Sequence, residues 1–172
     1  MDVGAYIGKY TVFACKEAEK VIAIEPIPIN FVVLRQNVRL NCCERKVFLI
    51  NKAIDAVRRK VIKHIPLKGG KPGLETASII QKDSEPGLKI KVLAEPLDDI
   101  VQSLGLSSID FLKIDIEGYV GKALPGMAWS LRNSKYVMIE LLRRDLIMHR
   151  HLKSLGLRLA DKHDSNYLYV RY

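Results

Sequence analysis

The sequence is poor in the residues that staple small proteins or mark membrane spans. Its three cysteines, Cys15, Cys42 and Cys43, are an odd number. Cys42 and Cys43 are adjacent, which is not the C-x-x-C spacing of a redox or zinc pair, so ordinary reduced thiols are expected. Histidine is also scarce, with only His64, His149, His151 and His163. His149 and His151 lie two apart and point to different faces of a helix, so no metal site is expected. No apolar run approaches the ~18 residues of a membrane span. The runs near Val21 and Phe31 are broken by Glu25, Pro26 and Asn30. The start of the chain lacks the charged, apolar, then small-residue order of a secretory signal. Together these absences predict a cytoplasmic protein.

What is present is an ordinary globular composition. The chain has 172 residues, which at about 150 residues per domain predicts a single domain over 1–172. A chain of this size buries roughly 68–70% of its unfolded surface and needs no staple. With 48% hydrophobic and 27% charged residues, disorder, collagen and coiled coil are excluded as whole-chain descriptions. Lys and Arg total 28 against 19 Asp and Glu, a net charge of +9. The excess gathers at Arg58-Arg59-Lys60 and in the C-terminal part, at Arg143, Arg144, Arg150, Lys153, Arg158 and Lys162. Such charge usually forms a solvated face; its alternative use is to neutralise phosphates.

Hydrophobic spacing predicts alternating helices and strands. Residues 9–19 read as a helix with Tyr10, Phe13 and Ala14 on its buried face. Residues 21–24 form a short continuous apolar run, as suits a strand buried on both faces of a parallel sheet. A helix follows over 28–41, with Phe31, Leu34 and Val38 on one stripe, and then a strand over 47–50. Residues 55–95 read as a loop-rich insertion. It carries Gly69, Gly70, Gly73, Pro86 and Gly87, and strand pieces at Val61-Ile62 and at residues 90–92. Beyond it the pattern predicts a short helix over 97–104, a strand over 109–116, a helix over 121–132, a strand over 136–139 and a helix over 143–155. A closing antiparallel pair follows near Arg158-Leu159 and residues 167–170. The class is α/β with a mostly parallel sheet.

In such sheets a ligand lies beyond the carboxyl ends of the strands. That rule selects three places. The first is the turn over residues 2–8, with Gly4 and Gly8, where glycine permits positive φ and close approach of a ligand. The second is Glu25, 21 residues past Gly4 at the end of the next strand. A carboxylate offers acceptors and no donors, so it suits the hydroxyl pair of a ribose. The third is Lys113-Ile114-Asp115-Ile116-Glu117-Gly118. Asp115 and Glu117 share one face if the strand stays extended, and close like charges raise one pKa toward that of a general base. Lys113 follows the same alternation and can offset their repulsion as a salt bridge.

Taken in order, DVGAYIGKYTVFACK, VIAIEPIPINFVVLRQNVRLN, NKAI, LDDI, IDFLKIDIEGYVGKALPGM and VMIEL resemble the FkbM family of S-adenosylmethionine-dependent methyltransferases. The resemblance implies the class I methyltransferase fold, a Rossmann-like seven-stranded sheet with helices on both faces and an antiparallel last strand. It implies methyl transfer from S-adenosylmethionine, usually to a hydroxyl of a sugar or other small molecule. It places Asp2, Gly4 and Gly8 beneath the methionine part of the cofactor, Glu25 on the ribose and Asn51 near the adenine. Asp115 and Glu117 would face the transferred methyl and the acceptor. The chain departs from the family pattern twice. Only Met1 precedes DVGA where the family has a full hydrophobic strand, so a truncated first strand is expected. Val120 stands where the family tends to carry an acidic residue.

Two other functions compete. The basic surface would suit an RNA methyltransferase, although the Asn-Pro-Pro-aromatic motif of many base methyltransferases is absent. A non-catalytic remnant would keep the fold for binding or for a homodimer.

Overall fold

A computed structural model describes residues 1–68, 71–73, 78–79, 87–141 and 146–171. The expected features at Gly69, Gly70, Pro86, Arg143 and Arg144 lie outside the described residues. The chain divides into two compact units, one of residues 2–53 and 58–94, the other of Met1, 54–57 and 95–172.

The first unit is built on β2 (Val21–Ile24), whose residues are all buried, as its unbroken apolar run requires. It pairs in parallel with β1 (Asp2–Val3) and with β3 (Val47–Ile50). Helix α1 (Lys9–Glu17) and helix α2 (Pro28–Leu40) make the two crossovers. Proline is favourable at the start of α2 because its missing N–H would have no helical partner there.

The face of α1 differs from the predicted one, and that of α2 keeps its predicted residues and gains a polar one. In α1 the buried residues are Thr11 and Cys15, whereas Tyr10 is 50% and Phe13 71% exposed. The Thr11 hydroxyl donates to Asp2 Oδ2 at 2.6 Å, so a polar contact sets the helix rotation ahead of the aromatics. In α2, Asn30 joins Leu34 and Val38 on the buried side, and Phe31 is half-buried.

The cysteine expectation is corrected as well. Cys15 and Cys43 form a disulfide, with Cα atoms 6.1 Å apart, and Cys42 is the exposed free thiol. The end of α1 and the turn after α2 pack together over β2, in a cluster with Val21, Ala23, Leu34 and Val38. Partners 28 residues apart in sequence are invisible to adjacency and counting. Disulfides are uncommon in a reducing cytosol, so the pair bears on the cytoplasmic expectation.

The predicted insertion is more regular than its glycines suggest. After β4 (Ala53–Ile54), β5 (Arg59–Lys68) pairs antiparallel with β8 (Gly87–Glu95), from Arg59 opposite Ala94 to Pro66 opposite Gly87. Short strands β6 (Lys71–Pro72) and β7 (Ser78–Ile79) also pair with β5. Val61, Ile65 and Val92 are buried on the inner face of the hairpin.

The second unit holds α3 (Leu97–Ser103), β9 (Ile109–Ile114), β10 (Ser134–Glu140), α6 (Leu146–Ser154), β11 (Leu157–His163) and β12 (Asn166–Arg171). β9 and β10 are parallel; β12 runs antiparallel to β10 and β11. The predicted helix over 121–132 is broken into α4 (Val120–Ala123), a 3-10 turn (Leu124–Met127) and α5 (Ala128–Arg132). Pro125 supplies no N–H to an α-helical ladder. At Gly126 a Cβ would lie 2.3 Å from the Asp55 carbonyl oxygen, so only glycine fits. The Met1 ammonium donates to Phe111 O at 2.6 Å, and Lys113 N–H donates to Met1 O at 2.9 Å.

The principal sheet has seven strands in the order β11-β12-β10-β9-β1-β2-β3, mostly parallel, with β12, next to the edge strand β11, running antiparallel to its neighbours. This is the expected α/β arrangement, with a first strand of two residues. No helix among the described residues is long and apolar enough to cross a membrane.

Candidate functional site

The bend between β1 and α1 turns through left-handed backbone at Gly4 (φ 80), Tyr6 (φ 51) and Gly8 (φ 90). Glycine carries this conformation at little cost; Tyr6 has to be held in it. The hold is visible. Gly4 and Ala5 N–H both donate to Ile24 O, and Tyr6 N–H donates to Glu25 Oε2 at 2.9 Å. A Cβ at Gly8 would sit 2.4 Å from Leu34 Cδ1, so α2 packs directly against the bend.

Glu25 therefore faces the bend. Its other oxygen, Oε1, accepts from Ile27 N–H at 2.9 Å and from Asn30 Nδ2 at 3.3 Å, so the side chain also caps α2. The residue is only 4% exposed. Burial pushes its carboxyl above the usual range, and the Ile27 and Tyr6 N–H groups, the Asn30 amide and the Lys63 charge pull it back. Asn51 donates through Nδ2 to Glu25 O at 2.8 Å and to Pro26 O at 3.1 Å. Both amide hydrogens are thus engaged, and the exposed side chain keeps its carbonyl oxygen as an acceptor. Asp2, 4% exposed, accepts from Thr11 and so ties the bend to α1.

These residues fit a nucleoside with a cationic amino-acid tail. The bend has no side chain at Gly4 or Gly8, the carboxylate has acceptor capacity beyond its three contacts, and Asn51 offers an acceptor of the kind an adenine amino group needs.

In the second unit three carboxylates meet. Asp115 and Glu117 follow β9, Glu140 ends β10, and one oxygen of each lies within 4.8 Å of the other two. The predicted reason for the first two is corrected. β9 ends at Ile114, and Glu117 (φ 53) and Gly118 (φ 74) form a left-handed turn. The turn gathers the acids, not strand alternation. Lys113 Nζ is 3.1 Å from Asp115 Oδ2 and the lysine is 4% exposed, so its salt-bridge role stands.

Glu140 is the residue that sequence reasoning missed. It lies in the VMIEL segment and closes a strand at its carboxyl end, so the strand-end rule could have selected it. Its Oε1 accepts from Ser165 Oγ at 3.1 Å. Burial, then the charge of Asp115 and a hydrogen bond to it, then the charge of Glu117, push its carboxyl up to about 7. Val120, the position where an acid was expected, is instead buried and opens α4. The third carboxylate comes from the neighbouring strand. Among the described residues these three acids are the one group arranged to share a proton or a cation.

The model of the methyltransferase FkbM domain matches residues 2–158. The chain belongs to the FkbM methyltransferase family. It is 27% identical over 150 residues to the 31-O-demethyl-FK506 methyltransferase FkbM of Streptomyces tacrolimicus, covering 73% of this chain and 58% of that protein. Among solved structures it resembles methyltransferase FkbM of Methylobacillus flagellatus KT, with a TM-score of 0.63, 21% identity, and coverage of 98% of this chain and 42% of that one. A putative RNA methyltransferase of Pyrococcus horikoshii has a TM-score of 0.55 and 12% identity over 99% of this chain and 73% of its own. These two structures support the class I methyltransferase fold. The chain spans about half the length of the FkbM proteins it matches.

Proposed function

We propose that this FkbM domain binds S-adenosylmethionine and passes its methyl group to a hydroxyl of a small molecule or sugar. The observation that carries the reading is the hydrogen bond from Tyr6 N–H to Glu25 Oε2, 2.9 Å long, which locks a strand-end carboxylate to a glycine bend. Gly4 and Gly8 admit the methionine part, with Asp2 bracing the bend through Thr11. Glu25 accepts from the ribose hydroxyls, and Asn51 accepts from the adenine. The cofactor, when bound, supplies a methyl group made electrophilic by its sulfonium.

The acceptor hydroxyl has to be aligned and has to lose its proton. Glu140, with its carboxyl near 7, takes that proton at neutral pH. Asp115, tied to Lys113, and Glu117 accept hydrogen bonds from the acceptor and orient it.

Thermal shift with millimolar S-adenosylmethionine, followed by transfer of a tritiated methyl to sugars and small alcohols, tests the reading. Stabilisation and labelled small-molecule product are expected. Absence of stabilisation would favour the non-catalytic remnant, and label appearing in bulk tRNA instead would favour the RNA methyltransferase.

A further inference from the structure

The hairpin of β5 and β8 carries a lysine where an apolar residue would be expected. Lys63 stands on its inner face, in register with Ile90, and is only 4% exposed. Two residues further along the same face, Ile65 is fully buried and packs with Ile27 and Ile90. Ile27 in turn lies two residues past Glu25. The inner face of the hairpin is therefore seated on the segment that carries Glu25, with the ammonium of Lys63 acting on its carboxylate.

We propose that Lys63 is a positioning residue for the cofactor, so that the inserted hairpin is part of the ribose-holding corner. The proposal rests on the cofactor reading above. Its physical basis is the cost of burying charge. A carboxylate and an ammonium removed from water are each unfavourable alone and offset one another when close. The remaining groups acting on Glu25 are neutral: the Tyr6 and Ile27 N–H groups of the bend and of the start of α2, and the Asn30 amide. Among the described residues, Lys63 is the charged group that favours the ionised form of Glu25. The ionised form accepts hydrogen bonds from both ribose hydroxyls; the protonated form loses acceptor capacity.

The test is S-adenosylmethionine affinity by calorimetry between pH 5.5 and 8.5 for the whole chain, Lys63→Met and Lys63→Arg. The wild type is expected to lose affinity toward acid pH. In Lys63→Met that loss should begin at a higher pH, so that binding falls severalfold below wild type at the acid end of the range and changes least at the alkaline end. Lys63→Arg should restore the wild-type profile. A Lys63→Met protein that is folded by circular dichroism and keeps the wild-type profile overturns the proposal. Uniform weakening at all pH values overturns it too, because that is the mark of a purely structural role. If Lys63→Met does not fold, the Lys63 Nζ resonance of isotope-labelled wild type is followed as S-adenosylhomocysteine is added. Movement on saturation is expected, and a resonance that stays in place refutes the role. Failure of the wild type to bind either ligand is a different result and falls on the cofactor reading itself.

Discussion

Two strand ends of this protein carry carboxylates that burial pushes upward in both cases, and surround them with different neighbours. At the end of β2, Glu25 is enclosed and its oxygens accept from Tyr6 N–H, Ile27 N–H and Asn30. At the end of β10, Glu140 is only partly buried and faces two other carboxylates, with Ser165 as its hydrogen-bond donor. The same functional group thus meets two different environments. Donors around Glu25 favour a fixed acceptor. Like charges around Glu140 favour taking up a proton near neutral pH.

The strongest way to break this contrast is Glu140→Gln. If Glu140 is the base, turnover should fall by about 10²- to 10⁴-fold with cofactor affinity unchanged. The rise of wild-type activity through pH 7 should flatten in the same variant. A loss of cofactor affinity equal to the loss of turnover would show that the division of tasks is wrong.

Reduction of Cys15–Cys43 tests how far the holding side depends on its own rigidity. Opening a cross-link of 28-residue separation should lower stability by about 3 kcal/mol in urea titrations. Since Cys15 lies on α1, the helix that leaves the bend, cofactor affinity should fall alongside; unchanged affinity in the reduced protein would make the disulfide irrelevant to the bend.

Glu25→Gln is expected to have a smaller effect. One oxygen acceptor survives, so the loss should be about 1–3 kcal/mol of stability and about tenfold in cofactor affinity. A stability loss with affinity intact would leave Glu25 as a helix cap alone.

The smallest effect concerns stability against pH. Because the folded-state carboxyl of Glu140 lies above its unfolded value, the native state binds the extra proton between about pH 4.5 and 7. Stability contributed by Glu140 therefore falls as pH rises through that window. Glu140→Gln should raise the melting temperature at pH 8 relative to wild type more than at pH 5. Equal shifts at both values would mean that the like-charge repulsion has no energetic consequence.

Much of this was legible in the chain. Val21–Ile24 and Val47–Ile50 are strands with the predicted bounds, because continuous apolar runs of that length have few other places to go. Gly4, Gly8 and Glu25 were identifiable because positive φ and strand-end carboxylates leave local marks. The hairpin was only partly legible. Its outer positions Lys60, Lys89 and Lys91 are exposed and its inner ones are interrupted by Lys63, which blurs the alternation of a strand pair. The rotation of α1 was misread because Thr11 is buried through a hydrogen bond and not through apolarity.

The sequence alone determined the order of strands and helices, the glycine bend and the family, since each rests on residue identity and spacing within a short stretch. The tertiary structure decided which distant groups share a neighbourhood: Cys15 with Cys43, Glu140 with Asp115 and Glu117, and Lys63 with Glu25. Such partnerships rest on burial and on Coulomb interactions between segments far apart in the chain. Distance in space, which the order of residues does not state, fixes both.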